Sequence, residues 1–356
     1  IETFEYDLKK YFGTKYASAV SNGTAALHLT GMALGWNNND KIITSPITFL
    51  ATANSIEYSG ANTIFADIDA NSYTLDPNQV EDVIKKCHSK GENVSAIIGV
   101  DFAGHPCDWI SLRFLADKYC LKLINDNCHA LGAAYENNKT YAGRYADVVT
   151  QSYHPVKNIT TGEGGSVLTN DHYIYEKISS LRTHGITKDP QKMKKNDGDW
   201  YYEMSELGFN YRITDLQSAL GSNQLKRLNS FIEKRGEIAQ KYDKYFKDKE
   251  NVIIPKVSKN VNHAYHLYPI QIEFQKLKIG RSLLFKKMKK IGINLQVHYI
   301  PIHFQPYYQN KYGYKTGSFP VAEKFYEKEV SLPIFPLLTD VNISRVYSNL
   351  YDFIYS

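Results

Sequence analysis

The sequence predicts an α/β protein: a large domain built on a mainly parallel sheet, followed by a smaller C-terminal α/β domain. Three observations predict it. Short β-rich runs alternate with helical patterns through the first two-thirds of the chain. The run Val94–Asp101 is almost continuously apolar, as a strand covered on both faces requires. After a basic, polar stretch at Lys188–Trp200 and a long helical pattern, the alternation resumes on a smaller scale. At 356 residues and 43% hydrophobic content, the chain has enough apolar material for a sizeable core, and its length suggests two domains or one large one with a satellite.

The chain begins at Ile1 and enters an amphipathic helical pattern at once. Tyr16–Ser21 reads as a strand and Thr24–Ala33 as the helix it feeds. Lys41–Thr44 is the next strand, helical sequence follows Pro46, and Asn62–Asp67 is the third strand. Pro77–Ser89 is a helix whose start is marked by Asp76 at the N-cap and Pro77 at the first helical position. The strand at Val94–Asp101 leads to helix Asp108–Cys120, and strand Leu121–Asp126 ends on an acid. Val148–Ser152 and Ser166–Thr169 are strands flanking a loop, and Asp171–Arg182 is helical. Lys188–Trp200 reads as an exposed, solvated loop. Thr214–Lys249 is helical with a break expected near Asn229, and the boundary is placed near residue 235, giving domains 1–235 and 236–356. In the second domain Ala264–Phe274 and Asn294–Tyr299 read as strands; Arg281–Lys290, Ala322–Lys328 and a last stretch from Asn342 read as helices.

Composition excludes several classes. The net charge of +5, from 42 basic and 37 acidic residues, is too small to imply nucleic acid, and the only dense basic run, Lys188–Lys195, is short. Cys87, Cys107, Cys120 and Cys128 form no CxxC pair and no zinc spacing, so free thiols in a reducing cytoplasm are expected, with no metal. No apolar run reaches the length of a membrane span and no secretory signal is visible.

Three segments carry chemistry. In Ser21-Asn22-Gly23-Thr24-Ala25-Ala26 a strand turns into an Ala-rich helix, whose free N–H groups and a hydroxyl can cradle an anion. Taken alone, that pattern is more often an ordinary N-cap. Asp126 closes an apolar strand, where α/β folds keep their ligands, but a cap or ion pair reads equally well. Lys157 lies between Ser152-Tyr153-His154 and the glycine-rich Gly162–Gly165 turn. Most lysines are surface groups; one desolvated among small and apolar residues becomes a neutral nucleophile. Together these pieces match what pyridoxal phosphate requires: a phosphate cradle with a nearby serine, a carboxylate for the ring nitrogen and a lysine for the aldehyde. Phe49 is a candidate to cover one face of the ring, or else packs in the core.

In order, SNGTAAL, SPITFLATANS, DFAGHP, NDNCHALGA, SYHPVKNITTGEGG, RTHG, GFNYRITDLQSALG and VHYIPIH resemble the DegT/StrS-type family of nucleotide-sugar aminotransferases, over essentially the whole chain. TTGEGG and VHYIPIH bring the resemblance nearest to the branch that aminates C4 of a UDP-4-keto-6-deoxy-N-acetyl sugar, as in the pseudaminic acid pathway. The resemblance implies a fold-type I, aspartate-aminotransferase-like, pyridoxal 5'-phosphate enzyme that works as a homodimer. By its motifs Gly23, Thr24 and Ala25 would hold the phosphate with Ser152, Phe49 would stack on the ring, Asp126 would pair with the ring nitrogen and His129 would sit beside it. Lys157 would carry the cofactor, and Asn210 would reach the phosphate in the partner subunit's site. Val297, His298, Tyr299, Ile300 and Pro301 would line the sugar-nucleotide site, with L-glutamate as amino donor. From the basic surplus, Arg182 or Arg212 is a candidate to meet the substrate's phosphates, although exposed ion pairs are commoner. Family members usually begin with a further helix and loop, so a segment upstream of Ile1 is expected. Relatives that dehydrate sugars typically replace the lysine with histidine, so Lys157 argues against that reading. The intact Lys157/Asp126 pair argues against a non-catalytic regulator. Another position (C3) or nucleotide (dTDP, GDP) is the nearer alternative.

Overall fold

Neighbouring residues along the inner strands point into different cores, and that alternation organises the computed structural model, which describes residues 1–355. Ile43, Ile97, Leu123 and Val149 enter one core; Ile42, Ile98, Ile124 and Val148 enter another on the opposite face. Successive side chains of a strand leave on opposite faces, so a sheet whose adjacent residues are all apolar must be covered twice.

The strands of this sheet are β1 (Tyr16–Val20), β2 (Asp40–Thr44), β3 (Asn62–Phe65), β4 (Asn93–Val100), β5 (Lys122–Asp126), β6 (Val148–Ser152) and β7 (Gly165–Thr169). Their order across the sheet is β1-β7-β6-β5-β4-β2-β3, with β7 alone running against the rest. Covering helices include α1 (Glu2–Phe12), α2 (Gly23–Ala33), α3 (Leu50–Tyr58), α4 (Pro77–Ser89), α5 (Trp109–Lys118) and α6 (His172–Leu181). α1 buries Phe4, Leu8 and Phe12, spaced four apart so that all three share one face. Asp76 caps α4, accepting from the Asn78 N–H at 2.9 Å, with Pro77 at its start, as its sequence predicts.

The smaller region has its own core. Its sheet is β8 (Val252–Ile253), β9 (Tyr268–Ile272) and β10 (Glu329–Leu332), antiparallel throughout. Tyr268, Ile270, Ile272, Val330 and Leu332 pack against Leu284 and Met288 of α8 (Arg281–Lys290) and against Val346 and Leu350 of the terminal helix, Asp340–Tyr355.

Several expectations are corrected. The helical stretch after Thr214 is one unbroken helix, α7 (Asp215–Phe246), opened by a capping box between Thr214 and Gln217. Asn229 costs well under about 1 kcal/mol in helix propensity. Burial outweighs it: Leu228 enters the first core, and Ile238, Ala239, Tyr242 and Phe246 enter the small-region core. Asn294–Tyr299 is not a strand; only Gln296 pairs, as an isolated antiparallel bridge to Ser331. The strand there is β10, which the sequence reading missed. The expected strand Ala264–Phe274 shortens to β9, because the Ala264 and Leu267 N–H groups bond instead to the carbonyls of Gly104 and Ala103. Arg182 is taken up by the fold, its guanidinium bonding the Glu5 carboxylate and the Ala19 carbonyl. Lys188–Trp200 is irregular and largely exposed. No described helix is long and apolar enough to cross a membrane.

Candidate active site

The carboxyl ends of β5 and β6 and the first turn of α2 converge on a cleft of about 520 Å³. Ligands of open α/β sheets gather at this edge. Gly23, Thr24, Phe49, Asp126, His129, Ser152, Lys157, His298 and Tyr299 all line it, drawn from distant parts of the chain.

The first turn of α2 is a ready anion site. Asn22 caps the helix by accepting from the Ala25 N–H at 2.8 Å. No described protein group accepts from the Gly23 and Thr24 N–H groups, which sit at the positive end of the helix. A side chain at Gly23 would put its Cβ 2.8 Å from Ser152 Cβ, so glycine lets this turn approach the serine. At the other glycine-rich turn, a Cβ on Gly165 would lie 2.4 Å from the Asn22 carbonyl oxygen. That glycine therefore accommodates the strand-to-helix turn behind the cradle.

Asp126 ends β5 almost fully buried. One carboxylate oxygen accepts from Thr52 Oγ1 at 2.7 Å and the other from the Cys128 N–H at 3.3 Å. Thr52 is itself within 2.8 Å of Thr48 Oγ1, four residues earlier and just ahead of α3. Lys157 lies in the loop after β6. Tyr153 pins that loop through its hydroxyl, 2.6 Å from Ser166 Oγ, and Asn158 through a 2.7 Å bond to the Leu131 carbonyl. Burial holds the Lys157 amine below the usual lysine range, partly opposed by Cys128 and Asp126. Among the described residues Lys157 forms no ion pair with Asp126 or any other acid within 4 Å. The cleft thus holds an amine and a carboxylate that face common space without neutralising each other directly.

His129 is neutral: burial, then the nearby Lys157 and His298, push its pKa well down. Its Nδ1 accepts from the Ala103 N–H at 3.3 Å, which leaves the proton on Nε2, directed at the Tyr299 hydroxyl 3.2 Å away. Phe49 stands half-exposed at the mouth, its ring centroid 6.1 Å from that of Tyr299.

Other expected residues lie elsewhere. Ala25 is buried and its N–H is taken by Asn22. Of the segment Val297–Pro301 only His298 and Tyr299 line the cleft; Ile300 points largely to solvent. Asn210 is exposed outside the cleft of its own chain, bridged to Thr183. Sequence reading missed Thr52, whose only signal was its four-residue spacing from Thr48. It also missed Cys128, His154 and Glu163, which are among the lining residues.

The DegT/DnrJ/EryC1/StrS aminotransferase family model matches residues 1–351. The UDP-4-amino-4,6-dideoxy-N-acetyl-beta-L-altrosamine transaminase of Campylobacter jejuni serotype O:2 is 38% identical, over 94% of this chain and 84% of its own. The solved structure of Helicobacter pylori PseC, an aminotransferase involved in the biosynthesis of pseudoaminic acid, superposes with a TM-score of 0.88 at 32% identity, covering 99% of this chain and 90% of its own. The Streptococcus pneumoniae protein Spr1654, solved in a PMP form, gives 0.88 at 27% identity over 98% and 90%.

Proposed function

Because the chain belongs to the DegT/DnrJ/EryC1/StrS aminotransferase family, we propose that it transfers an amino group from L-glutamate to C4 of a UDP-linked 4-keto-6-deoxy-N-acetylhexosamine. The cofactor is pyridoxal 5'-phosphate. The observation that carries the reading is the placement of Lys157 and Asp126 on one cleft, unpaired with each other, beside the open first turn of α2.

The residues fit the group. The Gly23 and Thr24 N–H groups and Ser152 would hold the phosphate, and Lys157 the aldehyde carbon. Asp126, oriented by Thr52, would hold a proton on the ring nitrogen, with Phe49 and His129 against the ring. Bound pyridoxal phosphate supplies an electron sink for negative charge at the substrate carbon. Lys157, depressed toward neutrality, takes a proton from the carbon that bears the donor's amino group and returns one in the second half of the exchange. His298 and Tyr299 form the opposite wall, where the sugar would bind. The similarity to the Campylobacter transaminase and to PseC supports a nucleotide-linked amino sugar as product. Asn210, exposed and outside the lining of its own cleft, would enter that of the second subunit of a homodimer.

The test is direct. Purified protein given pyridoxal phosphate should gain a visible absorption band that borohydride abolishes and that Lys157→Ala lacks. Supplied with L-glutamate and a UDP-4-keto-6-deoxy-N-acetyl sugar, it should release the 4-amino sugar, read by mass spectrometry. A bound cofactor with no aminated sugar, across UDP, dTDP and GDP forms, would remove this reading.

A further inference from the structure

Behind the wall opposite Lys157 lies a buried carboxyl that the reaction does not use. Glu329 opens β10 with no exposed surface. One of its oxygens accepts from the His298 backbone N–H at 2.9 Å, and the other lies 2.5 Å from Ser331 Oγ. Ser331 Oγ in turn lies 2.8 Å from His298 Nδ1. Carboxyl, hydroxyl and imidazole therefore form one unbranched chain that ends at a ring lining the cleft.

The direction of that chain follows from what surrounds the carboxyl. Among the described residues no cation lies within 4 Å of it. Arg281 turns instead to the backbone carbonyls of Tyr326 and Glu329. A buried carboxyl without a counter-ion keeps its proton, and burial pushes Glu329 up to about 8. A protonated Glu329 donates to Ser331, Ser331 donates to Nδ1, and the neutral ring must then carry its own proton on Nε2. Burial, then the charge of Lys157, keeps His298 neutral by lowering it to about 4.

We propose that Glu329 and Ser331 are positioning residues that fix the tautomer of His298, so that Nε2–H is offered to an sp2 oxygen of the substrate. That oxygen is the keto oxygen of the sugar or a carboxylate oxygen of the amino donor. The inference rests on the aminotransferase reading above for its substrates, though not for the chain itself. Ionising Glu329 reverses the chain: Ser331 donates to the carboxylate, Nδ1 takes the proton, and Nε2 becomes an acceptor facing the same oxygen. The titratable groups facing the ring are Lys157, His129, His266 and Tyr299; those facing the carboxyl are Arg281 and the Tyr73 phenol.

The test uses the pyridoxal-phosphate-loaded enzyme as wild type, Glu329→Gln, Ser331→Ala and Ser331→Thr, with melting curves to confirm folding. Nitrogen-15 shifts of labelled histidine, with His298 assigned by its own substitution, report the tautomer without turnover. The expected result is Nε2–H in wild type, Glu329→Gln and Ser331→Thr, and a mixture in Ser331→Ala. The KM of whichever substrate supplies the oxygen should rise about twofold in Ser331→Ala, as the fraction of rings carrying Nε2–H falls to about half, with kcat little changed. Separate KM values for glutamate and for the sugar nucleotide identify that substrate. The same KM in wild type should climb as pH passes about 8, and Glu329→Gln, which keeps an N–H donor to Ser331 but cannot ionise, should lose that component of the climb. A wild-type ring protonated on Nδ1 at neutral pH, a Ser331→Ala enzyme with both KM values unchanged, or a Glu329→Gln enzyme with the wild-type alkaline profile would each overturn the proposal. A wild type that consumes glutamate yet aminates no UDP-linked sugar removes the sugar reading instead, and the tautomer still decides the role of Glu329 and Ser331.

Discussion

The two walls of the cleft are built by different means. On one side Asp126, Ser152 and Gly23 sit at the ends of β5, at the end of β6 and at the start of α2, so the sheet register fixes their spacing. On the other side His298 and Tyr299 belong to an irregular segment, held by side-chain bonds to Glu329, Ser331 and His129. The first wall draws its precision from backbone and tolerates change in remote side chains. The second draws it from a few polar contacts, and one of these contains a proton that can leave.

That contrast is sharpest at Lys157. Lys157→Ala should lower kcat for glutamate-dependent amination by more than about 10³-fold, since on the proposed reading it removes both the cofactor's anchor and the proton carrier. Its melting temperature should change little, because the loop is pinned by Tyr153 and Asn158; a matching fall in stability would show that the wall depends on the side chain after all. Gly23→Ala tests the backbone claim. Its Cβ would meet Ser152 at 2.8 Å, so overpacking of about 1–3 kcal/mol should weaken pyridoxal phosphate by about five- to 150-fold in a fluorescence titration. Unchanged cofactor affinity would break the claim.

The second wall should respond to pH. An unfolded glutamate titrates near 4.5, whereas Glu329 in the fold holds its proton up to about 8. Between those values only the folded chain keeps the proton, so this stabilising contribution is complete below 4.5 and is lost as pH rises through about 8. Melting temperatures across that window should decline less steeply in Glu329→Gln than in wild type, and parallel curves would argue that the carboxyl is ionised throughout. The smallest effect is expected at Tyr299→Phe. Its hydroxyl receives the His129 Nε2–H, and loss of that bond, about 0.5–1.5 kcal/mol, should change sugar KM by about two- to twelvefold.

The same contrast explains what was legible in the sequence. Asp126 and Lys157 could be read only jointly with the phosphate cradle: taken singly, an apolar strand ending in acid and a lysine before a glycine-rich turn read at least as well as a cap and a surface group. Glu329 could not. Lys328-Glu329-Val330-Ser331 follows a helical stretch, and nothing local says that this carboxyl will be buried 31 residues from the backbone it holds. The alternating run at Asn294–Tyr299 looked like a strand because pattern records facing but not pairing. β9 occupies one edge of β10, and on the other only Gln296 comes into register. The break expected at Asn229 failed for a related reason: propensity is local, while the length of α7 is set by what it buries at each end.

That helix has a mechanical consequence. At 32 residues it is a beam of roughly 48 Å, clamped in one core through Leu228 and in another through Tyr242 and Phe246. Two bodies joined by a loop melt in turn more readily than two that share a beam, since loosening either clamp frees one end of a helix that the other core also packs against. Heat should therefore reach the small core and the large one in a single cooperative step, and the cleft floor and its far wall should disappear together.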